Sequence, residues 1–287
     1  MSDAQHLLLF HPDPPTRWLK QVAAATQAAG IERLGELGFR LREVDPRSAT
    51  TALTVATDAP AEYDHAWLNA TRHPGEYALL VCDMDGTLIE NECIDELAAL
   101  LPATTARAIA DCTAATMRGE LPIEASLRER VARLAGLPVR AIDDALERTI
   151  RVRAGTARLL RLARQAGWRT ALVTGGFAQF AQPIARSLGF DHVLCNQLLV
   201  RDGALTGQFE GELVDATAKA RAVAALAQTL GIAPQQTIAL GDGANDTAML
   251  AAAGLRIGVR PKPPVRAIAQ HCIDLTSLDA VWHLAGG

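Results

Sequence analysis

The chain has 287 residues, 49% of them apolar and 21% charged, with a net charge of −4. Those values suit a globular protein with a sizeable core and exclude a disordered chain; no run of like charge offers a face for nucleic acid or a membrane surface. Five cysteines, an odd count without a CxxC pair, argue against a disulfide framework or structural zinc and for a reducing compartment. The start, MSDAQHLLLFHPDPP, has no apolar stretch beyond LLLF, and longer apolar runs are broken by Arg, Asp or Gln. Neither a signal peptide nor a membrane span is expected, and the chain reads as cytoplasmic.

In chain order, LLLF (7–10) reads as a strand and residues 16–29 as a helix ending at Gly30. FRLREV (39–44) and ALTVAT (52–57) read as strands, and residues 61–72 as a helix. This β-α-β-β-α order predicts a small α+β module over 1–74, with HPGEY (73–77) as a linker. ALLVC (78–82) is then a continuous apolar run, the pattern of a strand buried on both faces of a parallel sheet. TALVT (170–174), HVLCN (192–196), TIALG (237–241) and RIGV (256–259) repeat it, with helical patterns at 156–166, 178–188, 216–230 and 245–253. The alternation predicts an α/β, Rossmann-like doubly wound core over 75–90 and 151–287. VRDGALTG (200–207) has the DG pair of a β-hairpin. Residues 91–150 hold several helical segments and no convincing strand, and are expected to interrupt the core as an inserted helical cap.

Ligands of open α/β sheets bind at the carboxyl ends of the strands. There the chain places Asp83-Met84-Asp85-Gly86-Thr87, Thr174-Gly175-Gly176-Phe177, and Asp242-Gly243-Ala244-Asn245-Asp246, with Lys219 at the start of the helix before the third strand end. Asp83, Asp85 and Asp242 would repel one another in one site, and a hard divalent cation such as Mg2+ relieves that. A carboxylate beside such a cation can attack phosphorus and form an aspartyl-phosphate. Asp83, which ends the strand, suits the nucleophile. Asp85, two residues on, suits an acid that protonates the leaving oxygen and then a base for water. Thr174, Gly175 and Lys219 offer donors to phosphate, and Asn245 and Asp246 can position Lys219 or a metal-bound water. Alone, DxD is a common turn, TGGF a common helix start and Lys219 an ordinary helix lysine; their joint order at strand ends makes a site.

DMDGT, TGGF, Lys219 and GDGAND resemble, in order, the four motifs of the haloacid dehalogenase (HAD) superfamily of phosphotransferases. Over residues 78–275, with ECIDELA after the first motif and SLRERV (126–131) in the insertion, the chain resembles the phosphoserine phosphatase family within it. The resemblance implies Asp83 as nucleophile and metal ligand, Asp85 as acid/base and carbonyl ligand, and Asp242 as the third ligand of Mg2+. It implies Thr174, Gly175 and Lys219 as phosphate binders, Glu92 and Arg130 as cap residues for an amino-acid substrate, and Asn245 as a further substrate residue. An ammonium suits Glu92, and a carboxylate suits the Arg130 fork. Three residues depart from the family pattern: Gly86 and Thr174 stand where Ser is usual, and Ile123 where an aromatic residue often covers the substrate. The expected activity is hydrolysis of a small phosphomonoester, O-phospho-L-serine, with phosphohomoserine as the alternative. A receiver-type signalling domain shares the Asp, Thr and Lys but is shorter, uncapped and without a counterpart of Asp85. The N-terminal module is expected to regulate the enzyme or to pair chains as a homodimer.

Overall fold

A computed structural model describes residues 5–45, 47, 53, 59–117 and 120–287. In the N-terminal region β1 (Gln5–Phe10), β2 (Gly30–Arg33), β3 (Phe39–Val44) and β4 (Asp64–Asn69) form an antiparallel sheet in the order β2-β3-β1-β4, with α1 (Thr16–Ala25) after β1. The helix expected over 61–72 is therefore a strand. From Asp64 to Asn69 burial alternates, with Asp64, Ala66 and Leu68 inside. That period of two lets the segment pair with β1, and the pairing overrides its helical composition. β2 was not expected, because it is short and almost wholly exposed. The helix after β1 also stops at Ala25, short of Gly30, which begins that strand. The strand expected at 52–57 lies outside the described residues, apart from Leu53.

Alternation along β1 explains how this sheet is placed. Leu7 and Leu9 pack with Trp18, Leu19 and Val22 of α1, whereas Leu8 and Phe10 belong to the main core of the molecule, as do Ala66 and Leu68 of β4. One face of the sheet thus holds its own helix and the other leans on the rest of the chain. Asp64 reinforces the contact by accepting the amides of Asp274, Leu275 and Thr276 at 3.2, 2.9 and 2.9 Å.

The main sheet has seven strands in the order β11-β10-β9-β5-β6-β7-β8. They are β5 (Leu79–Cys82), β6 (Arg169–Phe177), β7 (His192–Arg201), β8 (Ala204–Glu210), β9 (Thr237–Gly241), β10 (Leu255–Val259) and β11 (His271–Ile273). All neighbours are parallel except the β7–β8 hairpin, which turns at Asp202 and Gly203, both with positive φ. Every residue of β5 is buried, because Leu80 and Cys82 feed the cluster on one face and Leu79 and Val81 the cluster on the other. That two-sided burial is why the strand reads as unbroken apolar sequence. Helices α6 (Thr156–Gln165) and α7 (Ala178–Leu188) cover one face, and α8 (Ala216–Leu230) and α9 (Thr247–Ala251) the other.

Among the described residues, four helices lie between β5 and α6: α2 (Cys93–Ala98), α3 (Ala103–Met117), α4 (Ile123–Ala132) and α5 (Arg140–Arg148). The remaining short helices are α10 (Pro263–Arg266) and α11 (Ala280–Leu284). The inserted helices are tied to the β7–β8 hairpin by three backbone bonds: Gly136 amide to Leu205 carbonyl, Leu205 amide to Leu137 carbonyl, and Val139 amide to Gly203 carbonyl. No helix among the described residues is long and apolar enough to cross a membrane.

Candidate active site

Asp83 follows the last residue of β5, and its amide donates to the Leu240 carbonyl of β9 at 3.0 Å. Its side chain is buried, and one carboxylate oxygen accepts from Lys219 Nζ at 2.6 Å. Lys219 lies in the first turn of α8, whose start is capped by the Asp215 carboxylate receiving the Ala218 amide at 2.7 Å. It is wholly buried and also donates to Asp246 Oδ1 at 2.7 Å. The other oxygen of Asp246 accepts the amides of Asp242 and Gly243, each at 3.1 Å. Asp246 is thereby spent as the residue that holds Lys219 and the Asp242 loop together, as its sequence position suggested. Burial alone would favour a neutral amine, yet the Asp246 and Asp83 carboxylates outweigh it and hold Lys219 above the ordinary lysine range. Burial, followed by repulsion from Asp246, pushes Asp83 well above the ordinary carboxylate range despite Lys219.

The chain leaves Asp83 through the turn Met84–Leu88, in which Gly86 has φ +70°. A β-carbon there would lie 2.7 Å from Asp242 Oδ2, so glycine both permits the turn and admits Asp242 beside it. Asp85 accepts the Cys93 amide at 3.0 Å, and burial raises its pKa. Gly176 makes the matching approach from β6: a β-carbon on it would lie 2.7 Å from Asp85 Oδ2 and 2.6 Å from the Met84 methyl. The Gly176 amide is not free for an anion, because it donates to Thr174 Oγ1 at 2.9 Å. The Thr174 hydroxyl proton stays available to a ligand. Gly175 is anchored through its carbonyl, which accepts from Asn196 Nδ2 at 2.7 Å, while Asn196 Oδ1 accepts the Val214 amide at 2.8 Å.

Glu92 stands just before α2 and faces Lys262, whose Nζ lies 3.5 Å from Glu92 Oε1 and 3.0 Å from Asp242 Oδ2. Burial, with repulsion from Asp85 and Asp242, raises Glu92 to about 7, and Lys262 opposes the shift. Asn245 lies over Gly243, where a β-carbon would meet its Oδ1 at 2.6 Å. Arg130 on α4 donates to its own helix at Ser126 and acts electrostatically on Asp95 of α2. The structure therefore gathers Asp83, Asp85, Asp242, Asp246, Lys219, Thr174 and Glu92 around one end of the sheet, and leaves Arg130 on α4 bonded to its own helix. Two residues of this site escaped the sequence reading. Asn196 closes the apolar run VLC within β7, a signal the sequence did carry, whereas Lys262 lies three residues past the end of β10 behind Arg260 and Pro261 and has no such mark.

Carboxylate oxygens of Asp83, Asp242 and Asp246 lie within 4.8 Å of one another, all three residues buried. Lys219 and Lys262 are the cations in contact with these carboxylates. An all-oxygen, acid-rich set of this kind fits a hard divalent cation. Both Asp246 oxygens are taken by Lys219 and by the Asp242 and Gly243 amides, and the Asp85 carboxylate accepts the Cys93 amide, so the carboxylates left to face a cation are those of Asp83 and Asp242.

A family model described as haloacid dehalogenase-like hydrolase matches residues 80–251. The chain is 38% identical over 260 residues to phosphoserine phosphatase SerB2 of Mycobacterium tuberculosis, which covers 90% of this chain; the chain spans only 63% of that relative's length. It is 43% identical over 200 residues to the phosphoserine phosphatase of Idiomarina loihiensis, covering 70% of this chain and 90% of that one. A solved phospho-aspartyl intermediate analogue of phosphoserine phosphatase superposes with a TM-score of 0.67 at 36% identity, over 72% of this chain and 98% of that structure.

Proposed function

We propose, from the premise that this chain belongs to the haloacid dehalogenase-like hydrolases and within them to the phosphoserine phosphatase family, that it hydrolyses O-phospho-L-serine to L-serine and phosphate through a phospho-enzyme on Asp83. The observation that carries this reading is the buried Asp83–Lys219–Asp246 array at a strand end, with Asp85 two residues from the nucleophile.

An oxygen of Asp83 attacks phosphorus, and the bond from phosphorus to the serine oxygen breaks. Asp85, kept protonatable by its burial, gives its proton to that leaving oxygen. It then takes a proton from the water that attacks the aspartyl-phosphate, which releases phosphate and restores Asp83. Lys219 spends two of its three N–H donors on Asp83 and Asp246 and keeps the third for a phosphoryl oxygen. The Thr174 hydroxyl serves the same group. Mg2+, held by Asp83, Asp242 and the Asp85 carbonyl, would supply charge neutralisation for the phosphoryl oxygens and for the carboxylates that face them. A related phosphoserine phosphatase has been solved as a phospho-aspartyl intermediate analogue, which supports the covalent route. Residues 91–150 act as a cap that excludes bulk water while the phospho-enzyme forms, carrying Glu92 for the substrate ammonium and Arg130 for its carboxylate. The five unpaired cysteines accord with a reducing, cytoplasmic setting.

The test is phosphate release from O-phospho-L-serine with and without Mg2+, beside phosphothreonine, phosphohomoserine and simple sugar phosphates. Preference for phosphoserine, lost on chelation, is the expected outcome. A stronger rate on another ester would overturn the substrate, and no metal-dependent release from any ester would overturn the reaction. Glu92 adds a pH signature. Because its pKa is raised to about 7, it loses its charge as pH falls through that value, and KM for phosphoserine should rise over the same interval. Glu92→Gln should show a high KM that pH barely changes. A divalent cation among the neighbouring carboxylates removes part of the repulsion on Glu92, so the midpoint should move to lower pH with increasing Mg2+.

A further inference from the structure

Arg153 lies between α5 and α6, only 7% exposed. Its Nε donates to the Thr87 carbonyl at 3.0 Å and its Nη2 to the Gly86 carbonyl at 2.9 Å. No carboxylate among the described residues pairs with it within 4.0 Å. Burial lowers the Arg153 pKa and the carboxylates of Glu90 and Asp242 oppose that without contact, so burying the guanidinium is costly, and an apolar side chain could fill the same space without that cost. What the guanidinium adds is its two fixed N–H donors on adjacent carbonyls of the turn that carries Asp85.

That turn needs an external hold. Gly86, at φ +70°, has more conformational freedom than any other residue type at that point. The stem of the insertion supplies the place from which to hold it. Ile89 bridges Val152, the Glu90 amide donates to the Arg151 carbonyl at 2.9 Å, the Arg151 amide to Asn91 Oδ1 at 2.8 Å, and the Arg153 amide to the Leu88 carbonyl at 2.9 Å. The chain entering the insertion and the chain leaving it are thus zipped together, and Arg153 reaches from the end of that zip into the catalytic turn.

We propose that Arg153 is a positioning residue that clamps the Gly86–Thr87 peptide units to the stem of the insertion and so fixes Asp85 relative to Asp83. The proposal rests on the hydrolytic reading above. It acts through backbone carbonyls and touches neither substrate nor the reacting atoms.

The experiment uses the full chain with Arg153→Ala and Arg153→Lys, assayed on O-phospho-L-serine beside wild type, with folding checked by circular dichroism. Arg153→Ala should lose about 100-fold in kcat, the order expected of a small misplacement of reacting groups, with KM changed far less. Millimolar guanidinium should restore part of the lost kcat in that variant and not raise wild type, whereas urea at the same concentration should restore nothing. Arg153→Lys should fall between the two, because an ammonium lacks the planar fork that spans both carbonyls. Wild-type kcat in either variant overturns the clamp, as does a loss that guanidinium leaves unchanged. Should wild type release phosphate from no ester, the reaction reading fails instead. The clamp is then judged by amide hydrogen exchange over residues 84–88, which Arg153→Ala should accelerate and which an unchanged rate would refute.

Discussion

Asp83→Asn is expected to lower kcat by roughly 10⁴-fold or more while leaving the fold intact. The amide has nearly the shape of the carboxylate but no oxygen nucleophile able to form the phospho-enzyme. Its carbonyl oxygen can still accept from Lys219, which donates to Asp83 at 2.6 Å in the parent. Burial and Asp246 already penalise the Asp83 charge, so removing it relieves one repulsion while it weakens one attraction. Thermal midpoints should therefore stay close, and turnover measured under single-turnover conditions should show no trapped phosphate on the chain. Residual activity above about one per cent of wild type would move the nucleophile elsewhere.

Lys219→Met is expected to damage both activity and stability. It leaves Asp83 and Asp246 buried and facing each other without the ammonium that separates them. Breaking a buried pair from one side costs about 3–5 kcal/mol, so denaturant midpoints should fall accordingly. Turnover should fall about 10³-fold, since a donor to the phosphoryl group and the support of the nucleophile go together. The sign of the pH dependence follows from the same carboxylates. Burial already holds Asp83 above the ordinary carboxylate range and the variant removes the Lys219 charge that opposed this, so folding takes up a proton there and stability recovers as pH falls. The deficit should disappear below the ordinary aspartate value of 3.8. Adding Asp83→Asn to Lys219→Met should restore part of the lost stability, because Asp246 then no longer faces a second carboxylate across the space Lys219 filled. A purely additive double variant would show that the two groups do not share one electrostatic environment.

The parts of this molecule that were legible in the sequence are those whose burial is two-sided or whose spacing is local. TIALG and the helices at 178–188 and 216–230 match the structure residue for residue, since each has one strong pattern and no competitor. The hairpin at 200–207 was legible from its DG pair. β4 was misread because Ala66, Trp67 and Leu68 are acceptable in a helix, and only pairing with β1 decides between the periods. In the site, strand ends gave Asp83 and Asp242, whereas Thr174, expected at a strand end, lies within β6, which runs on to Phe177. Arg153 could not be found that way. Its partners are backbone carbonyls about 66 residues earlier, and backbone acceptors leave no mark on composition.

The order of the main sheet has a consequence for how the protein is made. β5 lies between β6, reached at residue 169, and β9, reached at residue 237. As the chain emerges from the ribosome, the strand that leads into Asp83 therefore waits with one edge bare until β9 appears. Asp242 and Asp246 arrive only after that, so the acidic cluster is completed after most of the sheet. Until then an entirely apolar strand keeps one unpaired edge, and a chaperone that shields that edge of β5 during synthesis is expected to raise the yield of folded protein.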